Sequence, residues 1–377
     1  MANITQRRAR QAFALRAGRL PLLGLGGLSL LAALWAGLVR LGWPLPALPL
    51  VPVAHHGVLM ASGFLGTLIC LERAVALRQN LNRRGPYYLA PLLSGLGALA
   101  LLVGLPTVVG RMAMMLGALG LVLIFAIIVR IQPDVAVTTM AAGAFLWLVG
   151  NGLWLVGWPV YRIVPWWAGF LILTIAGERL ELARILRPGR NARIAFLVAT
   201  ALFLAGLLLS LLALDLGLRL SGFGLLALGL WLLRFDLARR TIRQKGLTRF
   251  IATCLLPGYV WLILGGVLWL IYGGQHTAGL IYDATLHVLF LGFVISMVFA
   301  HAPVIVPALL GTPVSYRPHF YLHLILLHLS LVIRVAGDLL GWLPGRRWGG
   351  LFNVVAMLLF LALMAIAVRP GQPHDSE

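Results

Sequence analysis

Histidine is the chain's most evident chemical resource, and its nine copies are unevenly placed. His55 and His56 stand together, His276, His287, His301, His319, His323, His328 and His374 fall in the last third, and none lies between. Several sit inside long apolar runs, where an ionisable side chain is costly and is a functional candidate by default. His56 lies seven residues before the glycine of Gly63-Phe64, and His287 five before that of Gly292-Phe293. At about 1.5 Å rise per residue, each imidazole is roughly 7–10 Å from an equivalent helical point, so the two share a layer. Two imidazoles at one depth on two helices can supply both axial ligands of a haem iron, here expected as haem b. His55 can replace His56, but the two point about 100° apart and only one can face a given iron. The plainer alternative makes His56 and His287 hydrogen-bonding ties between helices.

Arg334 and Asp338 fall near the same layer. A guanidinium there suits a haem propionate, because it pairs bidentately with carboxylates. Four apart on one helix, the two residues can also simply pair with each other. His301 is about 21 Å along its helix from His287 and cannot reach the same iron. It belongs to a second polar layer with Glu72, Glu178, His319 and His323. His319 and His323 share a helix face, which suits a metal or a proton-transfer role, although residues beside basic loops often just meet water or headgroups. His328, near the membrane middle, is a further metal-ligand candidate or a packing group. Cys70 and Cys254 suggest neither a disulfide framework nor a cysteine metal site.

These groups need elements to carry them. Of the 377 residues, 61% are apolar and 11% charged, where a water-soluble chain has roughly 25% charged. Apolar stretches of about twenty residues recur along the chain, each long enough to cross a ~30 Å hydrocarbon layer. The pattern predicts an all-α polytopic membrane protein of about twelve transmembrane helices. The expected spans are 20–42, 51–76, 88–108, 111–131, 138–158, 163–184, 193–214, 219–236, 251–273, 279–301, 319–341 and 349–368. The Pro-rich run HAPVIVPALLGTPVSYRP (301–318) is expected to break the tenth helix's inner end. The N-terminal apolar run exceeds twenty residues without a clear cleavage site, so it reads as an uncleaved first helix.

A net charge of +20 does not here mean nucleic acid. With a cytoplasmic N-terminus, the inner segments hold twenty-three basic residues and the outer ones six, Arg334 being left inside a helix. Basic loops stay on the cytoplasmic side, so both termini are expected inside, in the inner membrane of a bacterium. The lipid bilayer is the first partner.

Self-similarity adds a further level. ASGFLGTLICLERAVALR (61–78) aligns without gaps with WAGFLILTIAGERLELAR (167–184), matching Gly63-Phe64-Leu65 to Gly169-Phe170-Leu171 and Glu72-Arg73 to Glu178-Arg179. The tenth helix repeats Gly292-Phe293, with His301 at the offset of the two glutamates. The preceding helices carry Leu34-Trp35, Leu153-Trp154 and Leu268-Trp269. A single domain (1–377) of three pseudo-symmetric four-helix units follows, approximately 1–132, 133–250 and 251–377.

The arrangement resembles the catalytic subunit of haem–copper oxidases and nitric-oxide reductases, which has twelve helices in three groups of four. His56-Gly57-Val58-Leu59-Met60 looks like that family's His-Gly-x-x-Met haem motif, His287 falls on the helix of its second low-spin ligand, and Arg334 on the helix of its propionate arginines. The family's copper ligands lie on helices 6 and 7, where residues 163–214 hold no histidine, so gas reduction at a haem–copper centre is not implied. The closer resemblance is to NnrS-like membrane proteins, through His55/His56 and LHVLFLGFVISMVFAHAPVI (286–305). It implies haem, with copper as a second metal, and a role in electron transfer or the response to nitric oxide, served by a redox partner protein or quinol. The competing classes are a secondary transporter, for which matched broken helices in the repeats would be the sign, and a non-catalytic subunit of a respiratory complex.

Overall fold

The computed structural model describes residues 2–46, 53–81 and 85–368, with the backbone alone for residues 2–17 and Asn80. Arg7, Arg8, Arg10, Arg16, Arg83, Arg84, Arg369 and His374, counted above in the charge pattern and the histidine inventory, lie outside the residues whose side chains are described.

Eleven of the described helices are long and apolar enough to cross a membrane, and a twelfth apolar helix is shorter. In chain order they are α1 (Gly18–Arg40), α2 (Val53–Gln79), the short α3 (Pro86–Leu102), α4 (Thr107–Ile131), α5 (Val135–Leu155) and α6 (Val160–Leu186). There follow α7 (Arg190–Leu209), α8 (Leu214–Phe235), α9 (Gly246–Tyr272), α10 (Gly279–Leu310), α11 (Phe320–Leu339) and α12 (Leu343–Ala367). Helices satisfy every interior backbone group within themselves, which is why an apolar chain of this kind folds as helices in a bilayer. Their outward faces carry bare leucines such as Leu123 and Leu208. This is a multi-pass helical membrane chain.

Three boundaries differ from the sequence reading by six residues or more. α3 stops at Leu102, short of the expected 108, because Gly104 turns the chain with φ +76° ahead of Pro106. α10 does not break at its prolines. Pro303 and Pro307 lie inside a helix that runs to Leu310 and ends at Gly311, φ +61°. α12 starts at Leu343, six residues early, with proline in its first turn, and so carries Arg346 and Arg347 on its first turns rather than in a loop.

The helices are not equivalent in depth of burial. In α2, α6 and α10 the apolar windows are 72%, 83% and 72% buried within the protein, against 33–56% in the other eight long helices. These three touch one another and form the inner ring, with the remaining helices packed outside. They are the helices that share the Gly-Phe sequence.

Two of the three are irregular at the same place. α2 winds as a π-helix over Leu59–Gly66 and α10 over Val288–Ile295. Both segments begin four residues before the shared glycine, Gly63 or Gly292, and end three after it. A π-turn bonds i to i+5 and takes in an extra residue, so it turns the C-terminal half of each helix relative to its N-terminal half. α6 is α-helical throughout the corresponding stretch.

Candidate functional site

His56 and His287 stand at the N-terminal edge of the two π-segments, three residues and one residue before them. His56 Nδ1 lies 2.7 Å from the carbonyl oxygen of Ala33 on α1. His287 Nδ1 lies 2.8 Å from the carbonyl oxygen of Asp283, one turn back on its own helix. A carbonyl only accepts, so each Nδ1–H is the donor and each Nε2 is left with its lone pair. That is the tautomer found in metal-bound histidines. Gly37 of α1 makes the approach possible, since a Cβ there would come within 3.0 Å of His56 Cε1.

The two ring centroids lie 6.3 Å apart, with the ring planes tilted by 30°. In-line metal–nitrogen bonds of about 2 Å, with ~1.1 Å from each nitrogen to its ring centre, place imidazole centroids about 6 Å apart. The observed separation matches.

The pair borders a cavity whose walls include Leu34, Met60, Trp167, Phe290 and Met357, with Arg334 among its lining residues. The cavity has a volume of ≈ 110 Å³. Its walls are largely apolar. A largely apolar group with a metal at its centre suits this lining.

Beside the histidines lies a closed set of charges. Arg334 donates through Nε and Nη2 to Asp283 Oδ2 at 3.0 and 2.8 Å. Asp283 Oδ2 is also 3.4 Å from His287 Nδ1, and Arg346 Nε lies 2.9 Å from Asp338 Oδ1. The pairing of Arg334 with Asp338, four residues on, is therefore not the one adopted: each partner is taken from a neighbouring helix. Arg334 Nη1 lies toward Gly350 of α12, another residue of the cavity wall. Asp283 escaped the sequence reading, although a carboxylate one turn before a histidine in an apolar run was the available signal.

The other histidines are placed differently. His55 does not line the cavity, and its Nδ1 is buried without a partner. His328 borders a separate cavity, where Trp261 Nε1–H donates to its Nδ1 at 3.0 Å. An indole N–H can only donate, so that bond uses the lone pair a metal would need. His319 is exposed, whereas His323 is buried to 1% among Phe250, Phe299, Phe320 and Phe360. The two do not share a site.

Glu72, Glu178 and His301, at equal offsets from the three Gly-Phe pairs, line one cavity together. Its empty space is ≈ 620 Å³. Arg73 is ion-paired with both Glu178 and Glu72. His301 Nδ1–H donates to Met297 O at 2.7 Å, and its Nε2 is buried without a partner. Among the described residues no group of three or more His, Cys, Asp or Glu side chains is arranged to hold a metal ion by itself.

No curated protein matches the chain. Residues 19–369 match the family described as a domain of unknown function, DUF8744. That span takes in both histidine-bearing helices, α2 and α10, and nearly the whole bundle, so the chain belongs to the DUF8744 family.

Proposed function

We propose that this protein is a haem-binding electron-transfer protein of the membrane, with His56 and His287 as the two axial ligands of a haem b. The observation that carries the reading is the pair of imidazoles with centroids 6.3 Å apart, both Nδ1 atoms engaged and an apolar cavity alongside. A haem iron held by two imidazoles supplies a one-electron couple. The protein's own part is positional. Ala33 O fixes the His56 ring, Asp283 fixes His287 through its carbonyl and carboxylate, and Arg334 offers a guanidinium at the cavity edge for a propionate. The apolar walls keep water from the site.

Three four-helix units, both termini on the cytoplasmic side and a bacterial inner membrane are part of the same reading. In support stand the matched π-segments of α2 and α10, the inner ring of α2, α6 and α10, and the arginine asymmetry. The NnrS-like resemblance adds an expected link to nitric oxide, with copper as a further metal and a quinol or redox protein as the electron partner.

The deciding measurement is an absorption spectrum of the purified full-length chain from haem-replete cells. A reduced low-spin haem b signal, lost in His56→Ala and in His287→Ala, supports the assignment. A colourless preparation overturns it. A secondary transporter is the second reading, favoured by the matched irregularity of α2 and α10. It predicts solute flux in vesicles that survives both histidine substitutions.

A further inference from the structure

On the arginine-rich face of the bundle, the turns between α6 and α7 and between α8 and α9 enclose a cavity unrelated to the histidine pair. Its lining includes five arginines, Arg187, Arg234, Arg239, Arg240 and Arg243, and its volume is ≈ 550 Å³. All five are exposed. None forms an ion pair with a carboxylate among the described residues. Arg239 Nη1 donates to Arg234 O at 3.1 Å, and the Arg234 guanidinium lies 5.2 Å from the Phe235 ring.

The one acidic residue in the lining, Asp236, is not available to them. It is buried to 1% and accepts from Arg179 Nε and Nη2 at 2.8 and 3.0 Å and from the Ala238 amide at 2.7 Å. Among the described residues, five cations therefore border one cavity with no carboxylate left to pair with them. A general excess of basic residues on this face accounts for their number, but not for their convergence around a cavity.

The cavity also has an apolar side. Leu186 and Phe235 line it, and Leu182 and Ile185, next to it on α6, are 41% and 69% exposed. On α7, Ile194, Leu197 and Val198 are exposed at 46–51% just beyond the arginines. A ligand that joins a phosphate to long hydrocarbon chains satisfies both features. A free phosphate satisfies only the first. Gly189 caps α7 without a side-chain bond, so first-turn amides of that helix add further donors beside the arginines.

We propose that this cavity is a binding site for one anionic phospholipid, its phosphodiester held by Arg187, Arg234, Arg239, Arg240 and Arg243 and its acyl chains lying along α6 and α7. The site is independent of any haem. Basic pockets of this kind beside membrane helices recognise lipid headgroups largely through charge.

The test is native mass spectrometry of the full-length chain released from detergent, titrated separately with dioleoylphosphatidylglycerol, dioleoylphosphatidylcholine and inorganic phosphate. The expected result is one saturable phosphatidylglycerol adduct, with phosphatidylcholine far weaker. Each arginine neutralised lowers the affinity by about 5-fold, and the triple variant Arg239→Gln/Arg240→Gln/Arg243→Gln by roughly 100-fold. The corresponding triple lysine variant keeps most of the binding. Should the triple glutamine variant not fold, as judged by size-exclusion profile, the single variants carry the same test. Equal binding of the two lipids, unchanged phosphatidylglycerol binding in the glutamine variants, or an adduct formed with inorganic phosphate and not with phosphatidylglycerol would each overturn the proposal.

Discussion

The charges around His287 form a chain in which each member depends on the next. Asp283 is shared by Arg334, Arg346 and the His287 ring, with its side chain 17% exposed. Breaking a buried ion pair from one side leaves the partner uncompensated, at a cost of about 3–5 kcal/mol when burial is complete. With partial exposure, Asp283→Asn is expected to destabilise the protein by roughly 2–3 kcal/mol. It should also loosen the His287 ring. Thermal melting with and without Arg334→Gln checks this, because the double variant should lose less than the sum of the singles. His323 presents the opposite case. Both its ring nitrogens are buried without partners among four phenylalanines. His323→Leu removes unsatisfied polar atoms worth about 1–3 kcal/mol and should raise the melting temperature. A lower one would mean that His323 has a partner in the working protein. At this scale the sequence revealed the two imidazoles and Arg334, because charge is rare in an apolar run. It did not reveal who pairs with whom: Arg334 has a carboxylate four residues along its own helix and takes one from α10 instead.

Helices were legible from hydropathy, and their irregularities were not. The π-segments contain ordinary apolar residues around one glycine, and nothing in Leu59–Gly66 or Val288–Ile295 marks the change of winding. Close helix approach is equally hidden until the partner is known. Gly37 lets α1 pass beside the His56 ring, and a Cβ would stand 3.0 Å from it. Alanine asks the ring to give by a few tenths of an ångström, whereas leucine must push it out of line. Gly37→Leu is therefore expected to cut the haem retained per chain by more than half while leaving the protein monodisperse, and Gly37→Ala to cut it less. Haem-to-protein ratio after size exclusion is the readout, and equal loading in all three proteins would show that the His56 ring position is unimportant. The proline misreading has its own cause. Pro303 and Pro307 are tolerated inside α10 because neighbouring helices can hold a bent helix in place.

At the level of the molecule, the inner ring of α2, α6 and α10 corresponds to the three segments with a common Gly-Phe, so this part of the architecture was written in the repeats. The cavity shared by Glu72, Glu178 and His301 follows from it: three equal offsets on three inner helices bring three side chains to one space. The histidine cavity breaks that symmetry, since α6 carries no histidine and no π-segment. Sidedness can be checked with the native cysteines out of play, as Cys70 and Cys254 are both buried. A membrane-impermeant maleimide added to intact spheroplasts should label Gln275→Cys in the turn before α10. It should leave Gln244→Cys, in the arginine-rich turn before α9, unlabelled until the membrane is opened. The reverse pattern would place both termini outside.

The partners His56 and His287 are 231 residues apart in the chain. At about 5–20 residues per second, roughly 10–50 seconds of synthesis separate the two. During that interval α2 is already in the bilayer with half a binding site, and nothing that needs both rings can yet be held. On the proposed reading, haem capture is a late event in biogenesis, after α10 has been inserted, and chains stalled before that point would reach quality control empty.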